Sequence, residues 1–259
     1  MDATIVLDLP DIALALGMMA AAIGLSLWQK LELEGQLALA TGRTIIQLLV
    51  VGFVLEAVFA WRNPLAVLAL LLVMLTVASI VSRNRIDRRL SRLLPSIWLA
   101  ICTSTAITLA YTTLLVIRPQ IWYDPQYLIP LAGIVLGNST NAAAIAGERL
   151  LSSIRNNPVA IETHLSLGAT PQQAVQTYRR QAIRAGLIPT INAMMIVGIV
   201  TLPGIATGQL LSGVAPLTAV LYQMLIMFML AFATLISALL VTRAISRQTF
   251  NPAAQLRSQ

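Results

Sequence analysis

Long apolar runs separated by short polar segments dominate the chain. Seven stretches, 12–28, 37–59, 65–82, 94–117, 128–150, 187–211 and 217–242, have the composition of membrane-crossing helices. A helix needs about 20 mostly apolar residues to cross a ~30 Å hydrocarbon core. Segments of about ten residues with alternating polarity, the mark of a membrane β-barrel, are absent from the sequence. The pattern predicts an all-α integral membrane protein with about seven transmembrane helices. Ahead of the first stretch stand Asp2, Asp8 and Asp11 and no basic residue. A secretory signal needs a positive leading region, so this stretch is expected to be a retained helix. No internal repeat or low-complexity segment stands out.

The longest segment between apolar stretches, 151–186, reads as two short helices. Asn157 followed by Pro158 predicts an N-cap and a first-turn proline. A helix then runs through Ile161, Glu162 and Leu165 to Gly168, which supplies a left-handed stop. Thr170-Pro171-Gln172-Gln173 starts the second helix, with Gln173 placed for a capping box. That helix carries Tyr178, Arg179, Arg180 and Arg184 toward the sixth span. Such a pair can be a docking knob for a soluble partner or an interfacial connector between two spans; both readings stand at this point.

Composition supports the membrane reading. Apolar residues make up 58% of the chain and charged residues 10%, against about a quarter charged in soluble domains. Disorder is excluded by the same numbers. A single cysteine, Cys102, rules out an internal disulfide, and a single histidine, His164, argues against zinc or haem sites built from several Cys or His ligands.

The net charge of +7 matters by location. If the Arg83–Arg92 loop is cytoplasmic, seven spans put the N-terminus outside and the C-terminus in the cytoplasm. Fifteen of the 17 basic residues then lie on the cytoplasmic side, including Lys30, Arg43, Arg88, Arg89, Arg149, Arg155, Arg243, Arg247 and Arg257. Only Arg62 and Arg118 fall outside, as the positive-inside rule requires. Trp122, Tyr123 and Tyr127 then sit near the outer interface, where amphipathic aromatics anchor in lipid.

Polar groups within spans usually face the bundle interior and often mark a pathway. Asn138, Asn141, Ile145 and Glu148 share one helical face of the fifth span. Either they line a translocation path or they bond neighbouring helices; the cluster Asn138-Ser139-Thr140-Asn141 favours the path. Gly133 and Gly137 suit close helix contact. Arg43 and Gln47 lie four apart in the second span, with Glu148 at a similar depth as a partner for Arg43. Glu56 either snorkels or offers a hard cation an oxygen ligand. Ser104, Thr108 and Tyr111 form a mild stripe read as structural, and the methionines as packing. Pro203-Gly204 should break the sixth span near its outer end, as a gate or as a simple helix end.

The segment Glu162-Thr163-His164-Leu165-Ser166-Leu167-Gly168-Ala169 resembles the EAA loop of ABC-transporter permeases, in which a glutamate is followed six residues on by glycine. Thr163 and His164 stand where two alanines are usual. Further segments extend the resemblance along nearly the whole chain: Arg43-Thr44-Ile45-Ile46-Gln47-Leu48, Gly137-Asn138-Ser139-Thr140-Asn141-Ala142, Gly168-Ala169-Thr170-Pro171, Leu202-Pro203-Gly204-Ile205-Ala206-Thr207-Gly208-Gln209-Leu210, Gly213-Val214-Ala215-Pro216-Leu217 and Tyr222-Gln223. Together they are similar to the FetB (YbbM-like) permease family, associated with bacterial iron export and with plant relatives linked to aluminium tolerance. Ile205-Ala206 stands where many members have two methionines.

The resemblance implies a single permease domain over 1–259 with a coupling loop at about 152–186, in the cell (inner) membrane. A homodimer would form the pathway for iron or another metal ion, and a separate ATP-binding ABC subunit would drive it. Glu162, Leu165, Gly168 and Pro171 would couple to that ATPase. Asn138, Ser139, Asn141, Gln47, Glu56 and Glu148 would line the path, and Pro203 and Gly204 would gate it. The sequence has no phosphate-binding loop of the G-x-x-x-x-G-K-[ST] kind and no H-E-x-x-H. The chain is therefore expected to bind no cofactor, to meet ATP only through its partner, to perform no catalysis and to bind no nucleic acid. The metal ligands are undetermined. The alternative is a stand-alone ion-coupled secondary transporter using Arg43, Glu56 and Glu148, against which the odd span count and missing repeat argue. A membrane scaffold without cargo is the third reading.

Overall fold

The computed structural model describes residues 8–61, 63–88, 93–251 and 255–256. Asp2, Arg62, Arg89, Arg92 and Arg257, used above for topology, lie outside the described residues. Those described form, in chain order, α1 (Leu9–Trp28), α2 (Glu34–Trp61), α3 (Pro64–Ile86), α4 (Leu94–Tyr111), α5 (Pro125–Asn156), α6 (Pro158–Ser166), α7 (Pro171–Ala174), α8 (Gln176–Ile196), α9 (Gly204–Leu211) and α10 (Pro216–Thr249). A π-helical turn, Thr112–Ile117, continues α4. Among the described residues, six helical stretches are long and apolar enough to cross a membrane: Pro10–Trp28, Glu34–Trp61, Pro64–Ile86, Leu94–Ile117, Pro125–Asn156 and Pro216–Thr249. The protein is an all-α, multi-pass membrane protein with about six such helices.

The stretch 187–211 is not the single helix that its apolar run predicts. α8 starts well before it, at Gln176, so Arg179, Arg180 and Arg184 lie in its first half. The chain leaves the helix at Val197, in extended conformation, and turns at Gly198, whose φ is +81°. The Gly198 N–H donates to the Thr201 carbonyl at 2.9 Å. The interruption thus begins ahead of the predicted Pro203-Gly204 site. Pro203 is the N-cap of α9 and Gly204 its first residue. Glycine accepts the left-handed conformation without a Cβ clash, and proline disfavours helix at Leu202 before it. The two together hold seven residues out of the helix where the apolar pattern alone shows continuity.

The chain divides into two compact units, Met1–Asn63 and Pro64–Gln259. In the first, α1 and α2 form a hairpin. Ser26 organises its turn: the hydroxyl donates to Glu34 Oε2 and accepts the Leu33 N–H, each at 3.3 Å. Lys30 and Glu32 adopt φ of +52° and +56° to close it, a conformation that costs non-glycine residues free energy.

In the second unit α5 is central, packing against α3, α4, α8 and α10. Small residues bring the backbones together, as is usual where lipid offers no hydrophobic drive between helices. Ala142, Ala143, Ala144, Ala146 and Gly147 of α5 are buried. A Cβ on Gly147 would lie 2.8 Å from Ile86 Cγ1, and one on Gly186 of α8 would lie 2.8 Å from the Ala142 carbonyl oxygen. By contrast, a Cβ on Gly137 would meet nothing within 4 Å, so the Gly133/Gly137 pair is not where helices of this unit approach closest. With 32 and 34 residues, α5 and α10 run about 48 and 51 Å, well beyond a ~30 Å hydrocarbon core. Near their basic ends lies a core that includes Leu93, Ile97, Leu150, Ile154, Ile161, Val175 and Ile245.

Candidate functional site

The segment joining α5 to α8 folds as an elbow of two capped helical pieces. In α6, Ile161 is fully buried and Leu165 packs beside it against Leu150, Leu151, Ile154 and Val175. Glu162, beside that buried face, is exposed, as are Val159 (74%) and the C-cap residue Leu167 (82%). Gly168 ends the helix at φ +89°, as its position predicts. The Gly168 N–H donates to the Leu165 carbonyl and the Ala169 N–H to the His164 carbonyl, both at 3.0 Å, which satisfies the orphan acceptors of the last turn. Thr170 and Gln173 form the expected capping box: the Thr170 N–H donates to Gln173 Oε1 at 2.8 Å, and the Gln173 N–H to Thr170 Oγ1 at 3.4 Å.

Two expectations for this segment need correction. Asn157 sits at the N-cap position of α6, but its side chain makes no cap. Its Nδ2 donates instead to the Ser153 carbonyl at 2.9 Å. α5 runs directly up to Asn156, so the nearest unsatisfied groups are the last carbonyls of α5. The second helix does not run unbroken into the next span either. α7 is one turn, Pro171–Ala174, and the backbone shifts at buried Val175 before α8 begins. Tyr178, Arg179, Arg180 and Arg184 belong to α8.

The polar face of α5 divides in a way that the sequence cluster conceals. Asn138 and Ile145 are half-buried and Asn141 and Glu148 exposed along the same face. Asn138 Nδ2 donates to the Ile134 carbonyl at 2.9 Å, and Asn141 Oδ1 accepts from Arg85 Nη1 at 2.9 Å. Ser139 and Thr140 point into the body. Ser139 Oγ lies 3.4 Å from Ser104 Oγ, its carbonyl accepts from Ser237 Oγ at 3.1 Å, and Thr140 bonds back to the Leu136 carbonyl at 2.7 Å. Ser139 therefore ties α5 to α4 and α10 and lies off the Asn138–Glu148 face. Thr108 bonds the Ser104 carbonyl at 2.7 Å, the structural role expected of that stripe. Arg43, Gln47 and Glu56 are exposed on α2 of the hairpin unit, whereas Glu148 belongs to the other unit.

At the far end of α8 and α9, Pro203 is half-buried, Gly204 exposed, Ile205 half-buried and Ala206 buried. Thr207 Oγ1 donates to the Leu202 carbonyl at 3.1 Å and closes the first turn of α9. Among the described residues, no three His, Cys, Asp or Glu side chains converge as a metal site.

The pairings that sequence reasoning missed are long-range. Arg155 Nη2 meets Asp87 Oδ2 at 2.6 Å, joining the ends of α3 and α5, and Arg85 reaches Asn141. Neither has a local signal, because the partners lie 68 and 56 residues apart.

Residues 9–250 match the family described as "Uncharacterised protein family (UPF0014)". The UPF0014 membrane protein slr1647 of Synechocystis is 54% identical over 254 residues, covering 98% of both chains. The "Probable iron export permease protein FetB" of Escherichia coli is 34% identical, covering 95% of this chain and 93% of that one. The "Protein ALUMINUM SENSITIVE 3" of Arabidopsis thaliana is 32% identical, covering 95% and 89%. No solved structure matches the chain. With a family match along nearly its whole length and relatives above 30% identity over nearly all of theirs, this chain belongs to the UPF0014 family of membrane proteins.

Proposed function

We propose that this chain is the membrane-spanning permease subunit of an ABC-type exporter for iron or another metal ion, in the cell (inner) membrane. Two copies form the pathway, and a separate ATP-binding subunit docks on the elbow. The observation that carries the reading is the elbow itself. A helix anchored by Ile161 and Leu165 presents Val159, Glu162 and Leu167 outward, and both of its turns are closed by hydrogen bonds. An apolar rim around one charge, on a rigid mount, suits docking and the transmission of force. The relative named as a probable iron export permease supports the transport class and the cargo.

In this mechanism, ATP-driven movement of the partner pushes α6 and α7. The push passes through Val175 into α8 and through Ile161 into the basic end of α5, so the bundle alternates its access. Cargo passes along the face of α5 that carries Asn138, Asn141 and Glu148, where the Glu148 carboxylate is the oxygen ligand for a hard cation. α8 and α9 together make the seventh crossing, which puts the N-terminus outside and the C-terminus in the cytoplasm.

Reconstitution in vesicles with and without the partner ATPase is the decisive test, with metal-ion transport as the readout. Transport should require the ATPase and ATP. The pair Glu162→Ala/Gly168→Val should insert normally but weaken ATPase co-purification and lose substrate-stimulated hydrolysis. Asn138→Leu/Asn141→Leu should insert and fail to transport. Cysteine at position 88 should resist labelling from outside while cysteine at 118 labels. Gradient-driven transport without an ATPase, or wild-type coupling in the elbow pair, would return the secondary-transporter reading to first place.

A further inference from the structure

A cavity of about 620 Å³ opens between the start of α8 and the end of α10, and four arginines line it: Arg179, Arg180, Arg243 and Arg247. Among the described residues, no aspartate or glutamate lines the cavity with them. From Thr163 to Gln259 the sequence has no aspartate or glutamate, so neither α8 nor α10 can supply a counter-charge. Arg179 is held in place by neutral acceptors, with Nε donating to Thr242 Oγ1 and Nη2 to the Leu239 carbonyl, both at 3.2 Å. These bonds orient the guanidinium without neutralising it. Arg180, Arg243 and Arg247 are exposed and make no hydrogen bond or ion pair with the described residues. The C-terminal half-charge of the α10 dipole favours cations nearby, but it amounts to about −0.5 against four positive charges.

Arg179, in the basic first turn of α8 and outside the six membrane-crossing stretches, has its pKa lowered by burial first and by Arg243 second. A guanidinium stays protonated regardless. The fold therefore keeps two like charges close together with no carboxylate of the described residues lining the cavity beside them.

We propose that this cavity is a binding site for a phosphate-bearing anion, either a phospholipid headgroup or free phosphate. The planar donors of arginine match phosphate oxygens two at a time. Basic pockets between helices at a membrane surface are suited to anionic headgroups, and Ile183, Leu239 and Phe250 give the cavity an apolar flank beside the charges. Pro171 also lines it, so a bound anion would brace the elbow against α10.

The test is native mass spectrometry of the full-length purified chain, titrated with phosphatidylglycerol, phosphatidylcholine or inorganic phosphate. The readout is binding alone and is independent of any ATPase. Wild type should retain phosphatidylglycerol over phosphatidylcholine. Arg243→Gln/Arg247→Gln, which breaks no hydrogen bond, should weaken that binding about 25-fold, at roughly a factor of five per arginine near an anionic surface. Arg149→Gln/Arg184→Gln removes the same charge outside the cavity and should weaken it no more than about threefold. Arg180→Gln alone should cost about fivefold and serves if the double variant fails to fold. Binding of inorganic phosphate that depends on Arg243 and Arg247, with no such dependence for phosphatidylglycerol, would assign the site to a soluble phosphate. Equal losses in the cavity and control pairs, or no dependence of either probe on the cavity arginines, would overturn the proposal.

Discussion

The elbow between α5 and α8 and the turn between α8 and α9 are both cut by glycine and proline, yet they are held differently. At the elbow, left-handed Gly168 is followed by Pro171, and the segment is pinned by Ile161 and Val175, both fully buried, with Ala174 beside them. At the other turn, left-handed Gly198 is followed by Pro203, but Ile199 is 87% and Val200 75% exposed, and no residue from Ile191 to Ile205 is buried. Backbone chemistry sets where each chain reversal falls. Buried apolar side chains decide whether it is locked to the body. In the proposed mechanism the locked elbow would transmit force and the exposed turn would serve as the gate.

The sharpest way to break this contrast is a matched pair of truncations. Ile161→Ala should cost about 2–5 kcal/mol, because it opens a cavity in a closed core. Ile199→Ala should stay within about 0.5 kcal/mol. Thermal unfolding in detergent and limited proteolysis at the elbow report both, and equal shifts would erase the distinction. Next in size is Gly186→Val. Its Cβ would press on the Ala142 carbonyl oxygen at 2.8 Å and on Ala146 Cβ at 3.0 Å. Overpacking of this kind costs about 1–3 kcal/mol and should push α8 off α5, lowering the melting temperature more than Gly137→Val, which meets nothing within 4 Å.

A smaller effect sharpens the comparison at the level of the backbone. Neither Gly168 nor Gly198 has anything within 4 Å of an added Cβ. Valine at either position therefore tests φ alone, at about 1 kcal/mol or more. Hydrogen exchange should show Gly168→Val fraying α6, and Gly198→Val loosening only the α8–α9 turn. The smallest expected change is Thr170→Ala, about 1 kcal/mol from the lost capping box, seen as faster exchange at Gln173 with the spans unaffected.

The elbow could be read from sequence because its signals are local. Gly168 and the Thr170–Gln173 box act within four residues, and both perform as their spacing predicts. Asn157 misled because two helices compete for one side chain, and only the end of α5 decides which carbonyl it meets. The cluster from Asn138 to Asn141 divides for a related reason. Consecutive residues on a helix point in different directions, so Ser139 ties α5 to its neighbours while Asn141 meets Arg85 on an open face. The arginine-lined cavity had no signal at all, since Arg180 and Arg243 lie far apart along the chain and meet only when α8 packs beside α10.

Apolar length determined by itself that this chain lives in a membrane as helices, because an unpaired backbone in hydrocarbon leaves few other choices. Capping chemistry and glycine positions determined where the elbow turns. What tertiary structure decided is which helix stands at the centre. Over an 18-residue window, α5 has the lowest mean hydropathy of the six crossing stretches, 1.4, and the largest buried share, 61%, whereas the window in α3 has the highest, 2.7, and is 22% buried. Hydropathy measures transfer into lipid, and lipid is as apolar as leucine. It cannot rank helices by their affinity for one another; the small residues of α5, which let backbones approach and carbonyls find hydroxyl donors, do that only once their neighbours are in place.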